Sequence, residues 1–308
     1  MNEGIIDFHA HAFPDELAPR AMKKLLEEAP DAKAFLDGTI KDLSDSMKRN
    51  HISRSVICCI ATTPEQFTPI FNWCKKVRNC YCERSDMKHP EAKESIKLDF
   101  STRFDKSELA RNDDSKQDTE RLIMFPSIHP ADTKWKERIA QIKQEGFKGV
   151  KFHPYYQNFH LDEDRMLPIY EELEGNDLIA VSHTGYDIAF PKDTRADCRR
   201  ILNVTKMFPK LKFVTTHLGA WQQWDDVERL LAGKHIYMEL SWSLEYLAAE
   251  QARRIIVAHP EDCVLFGTDS PWTDQAKTLS LLKNLELPGH LEKRILRDNA
   301  LELLGISN

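Results

Sequence analysis

Short runs of β-branched and apolar residues recur along the chain, separated by longer stretches in which apolar residues return every three or four positions. The short runs predict strands at Ile5–His9, Ser55–Ile60, Leu122–Ser127, Gly149–His153, Leu178–His183, Lys212–His217, Ile236–Leu240 and Val264–Gly267. The longer stretches predict helices at Pro64–Val77, Thr133–Gln144, Asp164–Leu173, Ala196–Phe208, Asp225–Leu231, Leu244–Val257, Thr273–Leu285 and His290–Leu304. Phe67, Ile70, Phe71 and Cys74 share one helical face, and Gly146 supplies a natural stop after Gln144. Strand alternating with helix argues for a parallel sheet. Eight such units joined by right-handed crossovers predict an α/β fold, a single (β/α)8 TIM barrel spanning residues 1–308.

One stretch breaks the pattern. Between Arg78 and Glu120 lie about forty mostly polar residues of alternating charge, where a short connection is normal. This long polar excursion before the third strand, about residues 79–120, reads as a mobile surface insertion. A lid is disfavoured, because helix-to-strand loops open on the end of a barrel away from its active site.

Composition narrows the class. A chain of 308 residues suits a barrel and needs no disulfides to support its core. The net charge of −6 offers no basic face for nucleic acid or for an anionic membrane, and no apolar run is long enough to span a bilayer. The seven cysteines lack a repeated zinc-type spacing; Cys58 and Cys59 lie inside an apolar strand, and Cys80-Tyr81-Cys82 alone is a weak metal signal. Reduced thiols and a cytoplasmic location are the simpler expectation, and the early first strand leaves no room for a signal peptide ahead of it.

The chemistry lies at strand ends. Asp7-Phe8-His9-Ala10-His11 alternates, which places Asp7, His9 and His11 on one face and Phe8 and Ala10 on the other. Two imidazoles so spaced can converge on one cation, although a pair of hydrogen-bonding surface histidines would look the same. The weight comes from repetition: His153, His183 and His217 each end a predicted strand, and Asp269 follows the last one. Barrel enzymes build their sites at that end from several strands, and twelve scattered histidines would not favour it so consistently.

The Asp-Phe-His-Ala-His start, the strand-end His183 and His217, and the closing Gly267-Thr268-Asp269-Ser270-Pro271 resemble the amidohydrolase superfamily. The similar branch holds aminocarboxymuconate semialdehyde decarboxylase, related decarboxylases and lactone hydrolases. The resemblance covers nearly the whole chain apart from about Arg78 to Glu120. It implies one divalent metal held by His9, His11, His183 and Asp269. Zn²⁺ suits such a mixed nitrogen and oxygen set, and Mn²⁺ or Fe²⁺ is compatible with it. His217 would stand beside the metal as general acid/base, and Asp269 would both bind the metal and accept a proton from the attacking water.

Lys151 and His153 share a strand face. Some superfamily members carry a carboxylated lysine on the fourth strand that bridges two metals, whereas one metal is the rule in the similar branch. Lys151 therefore reads as a partner for an anionic substrate, for Asp7 or for a ligand carboxylate. His153 reads as a substrate contact, a weak extra ligand or a structural histidine. Tyr155, Trp221 and Trp272 follow site residues closely and are candidate substrate-pocket walls. His51, His89, His160, His235 and His290 fall away from the catalytic rim, and His129 and His259 precede prolines as turn elements.

The expected activity is metal-dependent hydrolysis of a small carboxylated or cyclic amide, lactone or ester. Non-oxidative decarboxylation on the same site is the alternative; Arg20 and Arg195 are the only arginines near the predicted active-site loops to hold a carboxylate. A metal-binding barrel without catalysis is disfavoured by the acid/base beside the ligands. A small-molecule substrate is expected, with neither nucleic acid nor membrane as partner, and a homodimer is the expected assembly.

Overall fold

The computed structural model describes residues 4–85 and 121–306, with side chains from 79 to 85 excepted. Eight parallel strands are present among them: β1 Ile5–Ala10, β2 Ile52–Cys58, β3 Leu122–Phe125, β4 Gly149–Phe152, β5 Ile179–Ser182, β6 Phe213–Thr215, β7 Tyr237–Glu239 and β8 Val264–Leu265. They form two ladders, β1-β2-β3 and β4-β5-β6-β7-β8. Both seams are closed. At one, Ser127 bridges Lys151 and Lys151 N–H donates to Pro126 O at 2.9 Å. At the other, Ala10 bridges Ser270, Phe8 N–H donates to Phe266 O at 2.7 Å and His11 N–H donates to Ser270 O at 2.6 Å. The predicted (β/α)8 barrel is the fold, and its closure falls on the residues that carry the chemistry.

Two apolar layers hold it. The larger packs outward-facing Val150, Phe152, Ala180, Phe213 and Met238 against helix residues such as Ile139, Ile169, Ile201 and Ile255. The smaller joins Phe8, Phe125, Ile179, Val181, Val214 and Leu265 with Leu301, Leu303 and Leu304 of the last helix. Burying each such side chain contributes about 1.5–3 kcal/mol.

Three differences from the sequence reading have clear causes. Helices Ala18–Glu28 and Ile40–Arg49 lie between β1 and β2, where no helix was expected. Their signals are short: Pro19 in the first turn of one, and in the other Thr39 capping Asp42 N–H with Leu43 and Met47 buried four apart. Next, the helix after β2 runs Phe67–Ser85, so residues 79–85 of the expected excursion continue a helix, and the remainder at 86–120 lies outside the described residues. Finally, strict alternation fails on β1. Its register against β2 shifts between Asp7 and Ala10. Phe8 joins the smaller cluster with Val181 and Leu265, and Asp7 turns instead to Gln275 of helix Gln275–Lys283.

No helix among the described residues is long and apolar enough to cross a membrane.

Candidate metal centre and active site

β1 and β8 bring the first ligand group together through their backbones. Asp269 N–H donates to His9 O at 2.7 Å, which fixes the loop after β8 against the end of β1. His11 Nε2 then stands 3.0 Å from Asp269 Oδ1, and His9 Nε2 stands 3.1 Å from His11 Nε2 and 3.5 Å from Asp269 Oδ1. Ligands ~2.1 Å from a shared ion are themselves ~3.0–3.4 Å apart, so this spacing matches a common cation. Asp269 and His217 both have left-handed backbones, φ 64° and 60°. Such strain in residues other than glycine is held by surrounding contacts and clusters at functional sites.

The outward ring nitrogens decide what faces inward. His11 Nδ1 lies 2.7 Å from Cys58 O, His183 Nε2 lies 2.8 Å from Tyr186 O and His217 Nδ1 lies 3.0 Å from Ser241 O. A carbonyl oxygen accepts only, so each of these nitrogens carries the proton. His9 Nδ1 lies 3.0 Å from Glu239 Oε1 and donates likewise. In the neutral rings the opposite nitrogens present bare lone pairs. His9 and His11 thus face each other, and so do His183 Nδ1 and His217 Nε2 at 3.1 Å. Two acceptors that close repel unless a proton or a cation lies between them. Asp269 Oδ1 is also buried without a well-aligned hydrogen bond. The donor set fits a divalent cation.

Electrostatics agree. Burial pushes His183 down to about 3 and His217 down to about 4, and it holds His9 well below the usual range with Lys151 adding to the effect. Burial pushes Asp269 upward, but His9, His11 and His217 together hold it well below the usual carboxylate range. The site therefore combines unprotonated imidazoles with an ionised carboxylate at neutral pH.

The structure separates the expected ligands into two neighbouring groups. His9, His11 and Asp269 form one; His183 belongs to the other, with its ring stacked on His153 at 4.3 Å and its Nδ1 against His217. His153 and His183 both face Asp187 Oδ2, at 3.4 and 3.6 Å. That trio is poorly built for an ion, since His183 Nε2, the nitrogen facing Asp187, carries the proton it donates to Tyr186 O. Asp187 accepts from Ala189 N–H at 2.8 Å and burial raises its pKa. It reads as the orienting partner of His153.

Lys151 corrects one expectation. Its Nζ lies 3.0 Å from His9 Nε2 and makes no ion pair with Asp7. Asp7 accepts from Thr268 N–H at 2.9 Å, Thr268 Oγ1 at 2.6 Å and Gln275 Nε2 at 3.0 Å; burial raises its pKa to about 7 against those bonds.

A cavity of about 640 Å³ opens above these groups. His9, His11, Lys151, His153, His183, His217 and Asp269 all line it, as do Trp73, Tyr156, Asp187, Trp242 and Trp272. Tyr155 and Trp221 do not. Tyr155 turns its hydroxyl to Gly185 O and Asp193 O, and Trp221 packs on Trp242 and Tyr246. Neighbouring Tyr156 and Trp242 take the wall positions, because loop conformation and not proximity in sequence sets which ring faces inward. Arg20 lines the mouth, whereas Arg195 pairs with Asp193 away from the cavity. His129 Nδ1 accepts from Ala131 N–H and His259 Nε2 faces Ile236 O, both as turn elements.

Sequence reasoning missed Glu239 and Asp187. Glu239 is fully buried and touches both His9 and the backbone of His217. Its signal was an acid ending the seventh strand, the position type that selected His183 and His217. Asp187 gave no signal, since it lies four residues into a loop.

A family model described as amidohydrolase matches residues 87–306. No curated protein matches the sequence. Solved structures do. An uncharacterised TIM-barrel protein from Bordetella bronchiseptica shares 16% identity over 98% of both chains with a TM-score of 0.67. A 5-carboxyvanillate decarboxylase from Novosphingobium aromaticivorans, complexed with manganese and a nitrobenzoic acid, shares 12% over 98% of this chain and 96% of that one, TM-score 0.64. A probable 2-pyrone-4,6-dicarboxylic acid hydrolase from Acinetobacter baumannii shares 14% over 99% and 100%, TM-score 0.60. At such identities these likenesses establish the fold.

Proposed function

This chain belongs to the amidohydrolase family, and from that premise we propose that it is a metal-dependent hydrolase of a small carboxylated or cyclic amide, lactone or ester. The observation that carries the reading is the convergence of His9 Nε2, His11 Nε2 and Asp269 Oδ1 within 3.5 Å, two of them lone pairs turned inward by fixed outward hydrogen bonds. His9, His11 and Asp269 would hold one divalent ion, zinc by ligand type, with His183 Nδ1 completing the set. Such an ion supplies Lewis acidity and lowers the pKa of water to about 7.

This chain's own groups do the rest. His217 Nε2 faces the cavity unprotonated, with Nδ1 held by Ser241, so it is poised to take a proton and return it to the leaving group. Asp269 is ionised and can accept the proton of the attacking water. Lys151 offers a positive group at the cavity floor for a substrate carboxylate or carbonyl oxygen. Trp73, Trp242 and Trp272 exclude water and favour a planar or apolar body.

Decarboxylation on the same residues is the second reading. Lys151 beside His9 supports it as the cation for a substrate carboxylate, and decarboxylases occur among the similar structures. Against it, among the described residues the only arginine on the cavity wall is Arg20, exposed at the mouth. The deciding experiment counts metal per chain, then assays the loaded protein against lactones, amides and aromatic carboxylates. One equivalent of metal with hydrolysis of a lactone or amide supports the first reading; release of CO₂ without hydrolysis replaces it with the second. A protein that takes up no metal after reconstitution overturns both.

A further inference from the structure

Glu239 ends β7, His9 lies one residue before the end of β1, and β8 lies between them in the barrel. The passage between the two is opened by Gly267, just past the end of β8. A Cβ there would lie 2.1 Å from Glu239 Oε2 and 3.3 Å from His9 Cβ. The carboxylate therefore crosses β8 through the space a side chain would fill. It is completely buried and surrounded by donors. Oε2 accepts from Ser241 N–H at 2.7 Å; Oε1 accepts from Ser241 Oγ at 2.7 Å, His217 N–H at 3.1 Å and His9 Nδ1 at 3.0 Å. Ser241 Oγ in turn lies 3.1 Å from His217 Nδ1, whose proton also faces Ser241 O.

We propose that Glu239 is a positioning residue that fixes the His9 tautomer and, through Ser241 and the His217 backbone, sets the metal ligand and the acid/base histidine in one common register. The inference rests on the metal reading above, but its physical content is the proton on His9 Nδ1. Two acceptors face that proton, Glu239 Oε1 and Ser241 Oγ, each at 3.0 Å, and Ser241 Oγ can accept only because its own proton is held by Glu239 Oε1 at 2.7 Å. The carboxylate thus keeps the His9 proton outward by both routes and leaves Nε2 bare. An amide cannot satisfy the same four donors, because it has a single oxygen. With its nitrogen at the Oε2 position it meets Ser241 N–H, donor against donor, and finds no acceptor. With its nitrogen at the Oε1 position it finds two acceptors, Ser241 Oγ and His9 Nδ1, provided His9 moves its proton to Nε2. The second arrangement strands His217 N–H, whereas the first strands Ser241 N–H and both amide hydrogens, so the second is favoured, and it caps the nitrogen that a cation needs.

The test is Glu239→Gln, read in two ways on full-length protein. Zinc affinity is measured by competition with a chromophoric chelator, and the His9 tautomer is read from imidazole nitrogen shifts of metal-free, ¹⁵N-histidine-labelled protein. The expected result is a shift of His9 toward the Nε2–H tautomer together with a loss of zinc affinity of about 10–100-fold. Retention of the Nδ1–H tautomer overturns the proposal whatever the affinity, because any loss is then a packing effect; a switched tautomer with wild-type affinity overturns it equally. If Glu239→Gln does not fold, Glu239→Asp is read the same way, since its carboxylate is too short to cross β8 to His9. Wild-type protein that binds no zinc counts against the metal reading instead, and the tautomer comparison still decides what Glu239 does.

Discussion

Gly185 sits between the two halves of the site, and replacing it with alanine should cost both stability and metal affinity. Its φ is +88°, and a Cβ would lie 2.0 Å from Trp221 N, 2.5 Å from Trp221 O and 2.6 Å from Ala220 C. All three are main-chain atoms, so no side chain can swing aside. Ordinary contact begins near 3.4 Å, so the segment around Trp221 must retreat by ~1.4 Å. That retreat breaks Trp221 N–H to Thr184 O at 3.0 Å and Tyr186 N–H to Trp221 O at 3.1 Å. Two hydrogen bonds at about 1 kcal/mol each and a left-handed penalty of about 1–2 kcal/mol sum to about 3–4 kcal/mol. For a chain of 308 residues, with an unfolding entropy of about 2.1 cal/mol/K per residue, that is a fall of roughly 5–6 °C in Tm. Tyr186 O also holds His183 Nε2, so zinc affinity should fall with it. Scanning calorimetry of metal-free protein measures the first effect and chelator competition the second. Gly175→Ala is the control: it ends helix Leu167–Gly175 and no atom lies within 4 Å, so it should gain about 0.5–1 kcal/mol. A Gly185→Ala protein melting within 1 °C of wild type by this ~3–4 kcal/mol reasoning would refute it.

Three further outcomes test other parts of the structure. His11→Ala and Asp269→Ala should empty the site by elemental analysis and abolish activity, whereas His217→Ala should keep the metal and lose turnover; metal loss in the last would reassign His217 as a ligand. In metal-free protein, His217 is lowered to about 4 by burial against 6.5 in the unfolded chain. The unfolded state therefore takes up this proton first, so the stability contributed by neutral His217 is complete above about pH 6.5 and is lost as pH falls toward 4. Asp7 acts in the opposite sense, its raised pKa favouring the folded state most at acid pH, so the comparison must be between proteins. His217→Gln should lose less stability than wild type between pH 6.5 and 4, by up to about 3 kcal/mol, in urea titrations; equal losses would contradict it. Tyr170 is fully buried and its hydroxyl finds no partner among the described residues. Tyr170→Phe should therefore be neutral or stabilising by about 1 kcal/mol in thermal melts, and destabilisation would reveal a partner for that oxygen.

What the sequence alone determined was whatever depends on short-range periodicity. The eight strands, the barrel they build and the placement of His9, His11, His153, His183, His217 and Asp269 at one end of it follow from runs of a few residues and from the rule that active sites sit at strand C-termini. Tertiary structure decided the rest. The register shift in β1, which turns the Asp7 carboxylate away from the His9 ring and toward Gln275, depends on pairing with a strand more than forty residues away. Loop geometry chose Tyr156 and Trp242 over Tyr155 and Trp221 as cavity walls, since a turn of one residue reverses the side a ring faces. That Glu239 reaches His9 became visible only when β7, β8 and β1 were adjacent and Gly267 left the passage between them open. A hydrogen bond spanning 230 positions leaves no periodic trace in the chain; it exists because the barrel closes.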